Sequence, residues 1–275
     1  MQRYAIVTEP TGGNMSMSAA LHQPAWAFPR NDAFSFVSRA VAQSRAAVSC
    51  SGCYHRKACL PNVVPERELG MFDALISARR KLSRGATLYR AGDRFEALYA
   101  VHSGGFKTVG RLTHGEEKIT GFHLPGELVG LDAIDSAKHS YEAVALEDSE
   151  ACVIPFARLE AAGQEFPELR HQLFRLLSRD ISRDQGLMLL LGVMTAEQRL
   201  ATFLLNLSRR YQSLGFSPER FVLRMTREEI GSYLGLTLET VSRTLSRFQR
   251  EGHLAVRQRD IELKNMGALM ETAGC

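Results

Sequence analysis

Phe174-Arg175-Leu176-Leu177-Ser178-Arg179-Asp180-Ile181-Ser182-Arg183-Asp184-Gln185-Gly186-Leu187-Met188 is the middle of a stretch, from about Pro167 to about Met194, around which the chain is organised. On a helix, Phe174, Leu177, Ile181, Asp184, Met188 and Leu191 recur at alternating spacings of three and four. That repeat sets one helix against another in a coiled coil. A second apolar line, Leu169, Leu173, Leu176, Leu187 and Leu190, occupies a neighbouring face and suits packing on the helix's own domain. Asp184 interrupts the first line. In a parallel two-stranded pairing it meets its own copy, and like charges at close range repel. The stretch therefore reads as a dimer helix kept marginal, so that something else decides whether it pairs. The plainer alternative is a single buried core helix with Asp184 at its exposed edge.

The 275 residues are enough for about two domains. A hydrophobic content of 45% with 23% charged residues describes a soluble globular chain able to bury a core. The net charge is only +4, so binding to a polyanion has to come from a local patch. No apolar run is long enough for a bilayer, and no basic segment followed by an apolar one opens the chain. The expectation is a cytoplasmic protein with no membrane contact. There, clustered cysteines signal metal or redox chemistry rather than structural disulfides.

Upstream of the helix lies Cys50-Ser51-Gly52-Cys53-Tyr54-His55-Arg56-Lys57-Ala58-Cys59. Three thiols at x2 and x5 spacing can wrap one centre, and soft thiolates suit zinc or an iron–sulfur cluster. Arg56 and Lys57 are expected to favour the thiolate form; His55 reads as a solvent-side residue, with a ligand role as the alternative. The alternative is unrelated thiols in a loop. A fourth thiol must be Cys152 or Cys275. Cys275 ends the sequence, where chains fray, whereas Cys152 sits in the strand-like Glu150-Ala151-Cys152-Val153-Ile154. Residues 1–49, broken by Pro10, Gly12, Gly13, Pro24 and Pro29, read as a poorly ordered extension, with a helix allowed over about 32–47.

Between about Arg79 and Phe156 the pattern is short strands and turns. Lys81–Tyr89 and Leu98–Phe106 each read as strand, turn, strand, with further turns at Ala91-Gly92-Asp93, His114-Gly115-Glu116 and Pro125-Gly126-Glu127. Even spacing of this kind suggests a β-roll or jelly roll.

Downstream, Thr195 with Gln198, and Thr226 with Glu229, have capping-box spacing. The first opens a helix carrying Leu200, Phe203, Leu204 and Leu207 and ending near Gly215, and a strand over Arg220–Met225 follows. The second opens a short helix. Gly235-Leu236-Thr237 turns the chain, and Thr237 caps another helix with an inner face of Val241, Leu245 and Phe248. This is a helix-turn-helix; segments around Arg257-Gln258-Arg259-Asp260 read as a β-wing. Glu239, Ser242, Arg243, Ser246 and Arg247 then face outward. In a major groove Arg243 suits guanine O6 and N7, Glu239 a cytosine amine, and Ser242 several bases. Arg247, Arg250, Arg257 and Arg259 are placed for phosphates.

The run from Cys50 to about Ala268, about four-fifths of the chain, resembles the CRP/FNR family of bacterial transcription regulators, and within it the oxygen-sensing FNR (fumarate and nitrate reduction) branch. The resemblance rests on Cys50-x2-Cys53-x5-Cys59 with distant Cys152, Ile119-Thr120-Gly121-Phe122-His123-Leu124, Gly126-Glu127-Leu128-Val129-Gly130, and Glu239-Thr240-Val241-Ser242-Arg243. It implies an α+β fold: an iron–sulfur segment and β-roll sensor over 50–165, a dimer helix over 166–194, and a winged helix-turn-helix over 195–275. It implies a [4Fe–4S] cluster on Cys50, Cys53, Cys59 and Cys152. It implies a homodimer through Phe174, Leu177, Ile181, Asp184 and Met188, with Asp184 at the family's charged interface position. It also implies palindromic sites of the TTGAT type in double-stranded DNA, read by Glu239, Ser242 and Arg243, and surface loops, His114-Gly115-Glu116-Glu117 among them, that contact RNA polymerase. One departure stands out. Cyclic-nucleotide members carry an Arg-Ser pair for the ligand phosphate where this chain has His139-Ser140. Glu127 is retained, so a cyclic-nucleotide regulator with a structural zinc on the same four thiols is the first rival. An iron–sulfur enzyme or electron carrier is the second. No second cluster motif, dinucleotide fingerprint or nucleophile constellation supports it, and the expectation is a non-enzyme. His102, His123 and His171 read as structural groups.

Overall fold

The structure, a computed structural model, describes residues 49–66, 69–111 and 115–274. The expected extension with its helix over 32–47, and Cys275, lie outside the described residues, as does His114. Among the described residues no helix is long and apolar enough to cross a membrane.

The cysteine segment opens the described chain as short turns and leads into helix α1 (Leu69–Leu75). Eight strands follow: β1 (Ala78–Leu82), β2 (Thr87–Tyr89), β3 (Ala97–Ser103), β4 (Phe106–Arg111), β5 (Glu117–His123), β6 (Leu128–Val129), β7 (Glu142–Ala145) and β8 (Ser149–Pro155). They form two antiparallel four-stranded sheets, ordered β1-β8-β3-β6 and β2-β7-β4-β5. The tight turns after β1 and β3 therefore carry the chain from one sheet to the other. At the second of these, Gly104 has φ +73°, and a Cβ there would stand 2.8 Å from Ser149 Cα. Only glycine fits both the left-handed backbone and the close approach. Alternate residues of the strands turn inward, and Leu88, Val101, Phe106, Val129 and Ala151 close the space between the sheets.

Helix α2 (Phe156–Glu165) ends at Phe166, whose extended backbone precedes Pro167. Proline disfavours the helical conformation in the residue before it and suits the first helical position. Helix α3 therefore begins anew and runs Pro167–Val193, 27 residues. Its buried line packs with the first sheet and the cysteine segment, so that Leu60, Val64, Leu98, Ile154, Leu169 and Leu176 share one core with Cys50 and Cys152.

Helix α4 (Ala196–Ser213) starts at the expected capping box on Thr195. Strand β9 is shorter than expected, Arg220–Val222 rather than reaching Met225. Beyond it the Leu223 N–H still bonds the Arg259 carbonyl at 2.8 Å, and Leu223 and Met225 stay buried. Helix α5 (Arg227–Leu234) carries the second capping box, and α6 (Leu238–Arg250) is capped by Thr237. Strands β10 (Leu254–Arg257) and β11 (Asp260–Leu263) complete a sheet ordered β10-β11-β9. The last helix, α7 (Met266–Ala273), was not expected. Asn265 caps it through the Ala268 N–H, and it packs on α4. The core of this part takes in Ile119, Phe122 and Leu124 from the roll. Lys107 of β4 bonds Glu229 of α5 at 2.8 Å, and the rings of Phe122 and Tyr233 lie 5.0 Å apart.

Candidate functional site

The cysteine segment folds back on itself by local bonds: the Cys53 N–H to the Cys50 carbonyl at 3.2 Å, and the Cys59 N–H to the His55 carbonyl at 3.1 Å. These turns aim three thiols toward β8, where Cys152 stands opposite Arg79 of β1 and Ala100 of β3. All four cysteines are free thiols, and they line one cavity of about 30 Å³ with apolar walls that include Leu60, Phe72 and Ile154. Burial pushes the Cys50 thiol up to about 12, with Asp73 and the neighbouring Cys152 and Cys53 adding to the effect. Burial raises Cys59 and Cys152 as well, and Arg79 opposes the rise at Cys152 by a hydrogen bond and its charge.

Two expectations change here. The cation acting on the thiols is Arg79, which also opposes the rise at Cys50. Arg56 also lines the cavity but donates to the Val64 carbonyl at 3.3 Å, and Lys57 is exposed. His55 is not on the solvent side but half-buried on the cavity wall. Its Nδ1 is buried without a partner, and its ring lies 6.4 Å from that of His102. Burial, then the charge of Arg224, lowers its pKa. His102 also lines the cavity, with Nδ1 3.8 Å from Cys53 Sγ. Sequence reasoning missed Arg79 and His102 here. Strand register places Arg79, and no local motif announces it.

The donor set fits an iron–sulfur cluster: four thiols converge on an apolar cavity whose lining includes no carboxylate. Among the described residues, though, no three His, Cys, Asp or Glu side chains are grouped as a metal-holding set. The cavity volume is that of about one water molecule.

On α3, Leu169, Leu176 and Leu190 are buried and Leu173 and Leu187 partly so. The other line is open: Phe174 is 56% exposed, Ile181 57% and Met188 71%. Leu177, Asp184, Met188 and Leu191 border a groove that also touches β5 and α5. Partial burial raises the Asp184 carboxyl above its ordinary range, against the pull of Arg183.

Glu127 and His139 are both engaged. Glu127 accepts from Arg210 of α4 at 2.9 and 2.6 Å and from the Leu124 N–H at 2.8 Å. Burial would raise its pKa, but Arg210 and then Arg183 outweigh that and hold it below the usual carboxylate range. His139 is buried, stacked on Tyr89 at 3.6 Å and 3.8 Å from Asp132.

On α6, Val241, Leu245 and Phe248 are buried as expected. Glu239, Arg243 and Ser246 are exposed and Ser242 is half-buried. The backbone N–H of Glu239 and the side chain of Thr237 hold the Glu239 carboxyl low, so it is an acceptor at neutral pH. Arg247 is not free: it pairs with Glu251 at 2.8 Å and with Glu197. Arg250 and Arg257 are exposed, while Arg259 donates to the Arg224 carbonyl at 3.1 Å.

Residues 79–165 match the cyclic nucleotide-binding domain, and 198–272 match the Crp-like helix-turn-helix domain. The chain is 47% identical over 238 residues to the transcriptional regulatory protein btr of Bordetella pertussis, covering 86% of this chain and 98% of that protein. It is 45% identical over 238 residues to the fumarate and nitrate reduction regulatory protein of Escherichia coli, covering 86% and 95%. The solved structure of FixK2 from Bradyrhizobium japonicum superposes with a TM-score of 0.66 at 32% identity, over 72% of this chain and 98% of that one.

Proposed function

The chain belongs to the CRP/FNR family of DNA-binding transcription regulators, in its FNR branch, and from that premise we propose that it answers to oxygen through a [4Fe–4S] cluster that governs homodimerisation. As a member of that family it is not an enzyme. The observation that carries the proposal is the meeting of Cys50, Cys53, Cys59 and Cys152 in one cavity, within a core that also holds the buried line of α3.

Cys50, Cys53, Cys59 and Cys152 hold the cluster, which when bound supplies an oxygen-labile crosslink between the segment and β8. The remaining work belongs to the chain. A segment tied to Cys152 keeps Leu60 and Val64 against Leu169 and Leu176. The packing that sets α3 is then firm enough to bring the exposed seam against its copy despite Asp184. A released segment gives up that packing, and the like charges separate the helices. Moving a population from 1:99 to 99:1 takes about 5.5 kcal/mol, and structural metal–thiolate sites reach about 10–16 kcal/mol. The pair places two α6 helices on half-sites of the TTGAT type about one helical turn apart. Glu239, Ser242 and Arg243 read base edges. Arg250 and Arg257 meet phosphates, and Arg247 joins them by exchanging Glu197 or Glu251 for the backbone. The exposed Gly115-Glu116-Glu117 loop is offered to RNA polymerase. The protein acts in the cytoplasm.

The test is anaerobic purification with a visible spectrum and analysis for iron, sulfide and zinc. Brown protein that bleaches in air is the expected result. Colourless protein carrying zinc overturns the proposal in favour of a cyclic-nucleotide regulator, and an air-stable cluster that cycles between redox states does so in favour of an electron carrier.

A further inference from the structure

Two helices end close together at the junction of the dimer helix and the DNA-binding part, and neither carries its own cation. The last turns of α3 and α5 contain no basic residue. The final carbonyls of a helix lack intrahelical partners and carry partial negative charge, so each end calls for a donor from elsewhere. Arg199, in the first turn of α4, supplies both. Its Nη2 donates to the Leu191 carbonyl of α3 at 3.0 Å, its Nη1 to the Leu234 carbonyl of α5 at 3.1 Å, and its Nε to the Met194 carbonyl between α3 and α4 at 2.9 Å. A guanidinium is a rigid planar fork, so three bonds to three segments fix their mutual angle; an ammonium on a flexible stem does not. Gly235, which ends α5 at φ +64°, makes room. A Cβ there would lie 3.3 Å from Arg199 Nη1 and 3.4 Å from Leu191 Cδ2.

The geometry points to Arg199 as the positioning residue that locks the dimer helix to the helix-turn-helix, so that pairing along α3 sets the spacing and angle of the two reading helices. Arg199 touches no base in this account; it acts through α5 and the turn that leads into α6. The inference rests on pairing through α3 as proposed above. Two half-sites bound by a rigidly linked pair gain from effective concentration. That gain disappears when the linkage no longer holds the second reader in place.

The experiment uses the full chain, purified anaerobically, as wild type, Arg199→Met and Arg199→Lys. Fluorescence anisotropy reads binding to a duplex with one half-site, to one with two, and to duplexes whose half-site spacing is altered by one and two base pairs. In Arg199→Met, affinity for the two-site duplex is expected to fall by about tenfold or more. Single-site affinity should stay within about twofold, and the preference for the natural spacing should flatten. Arg199→Lys keeps the charge and loses the fork; it should retain the wild-type melting temperature and show the same flattening in part. A purely structural role would lower one-site and two-site binding together, and that result overturns the inference, as does an unchanged spacing preference in both variants. A wild-type chain with no preference for two sites over one overturns the pairing itself, and this inference with it.

Discussion

Glu127 shows how one residue can keep a family's sequence mark while its surroundings give it different work. It stands in the Gly126-Glu127-Leu128-Val129-Gly130 turn, yet its carboxylate is taken by Arg210 of α4 and the Leu124 N–H. The pair ties the roll to the DNA-binding part. The pair is partly buried, with the Glu127 side chain 26% exposed, and hydrogen bonds to charged groups contribute about 1.5–3 kcal/mol, so Glu127→Ala is expected to lose roughly that much in urea unfolding at pH 7. The pH dependence follows from the shift. The folded-state pKa of Glu127 lies below the ordinary 4.5, so its contribution is fully present above that value. It is lost as pH falls through and below it. The gap between wild type and variant should therefore narrow below about pH 4.5; a constant gap down to acid unfolding would show that the pair contributes nothing. The same scale marks the limit of sequence reading. The four thiols were legible because cysteines are few and crowded. Arg79 and His102 were not, because the strands rather than local spacing bring Arg79 opposite Cys152 and His102 to the cavity.

Helix α3 was legible almost to its ends from periodicity, since both apolar lines follow helical spacing and Pro167 marks the start. Its two lines have separate fates, one buried in the roll and one exposed, and this favours the dimer seam over a single core helix. Asp184 is the discordant residue. Two carboxylates about 5 Å apart at an effective dielectric of about 20 repel by roughly 3 kcal/mol, about a hundredfold in association. Asp184→Ala is accordingly expected to sediment as a dimer in air at concentrations where the wild type is a monomer. A variant that stays monomeric there would remove Asp184 from the control of pairing. Other elements were less legible for local reasons. Strand β9 is regular only to Val222, although the Leu223 N–H still bonds the Arg259 carbonyl at 2.8 Å in the β9–β11 register. Helix α7 is short and contains Gly267, and it went unread; its Asn265 cap is seen only in the structure.

At the scale of the molecule, the order of sensor roll, long helix and winged helix-turn-helix could be read from turn spacing, helical periodicity and three capping residues. How those parts meet could not. The strand-turn-strand runs turned out to join two sheets, and the contacts that bind roll to reader, Lys107 with Glu229 and Phe122 with Tyr233, pair residues far apart in sequence. We propose that the cysteine segment governs the whole assembly, because Leu60 and Val64 share a core with Cys152 and α3. Its most direct test is the affinity of the anaerobic, iron- and sulfide-reconstituted chain for a duplex with two TTGAT-type half-sites, set beside that of the same preparation after air exposure. The reconstituted protein is expected to bind as a dimer at least about a hundredfold more tightly, in keeping with the gain available from linked sites. Equal affinity in the two states would contradict the claim.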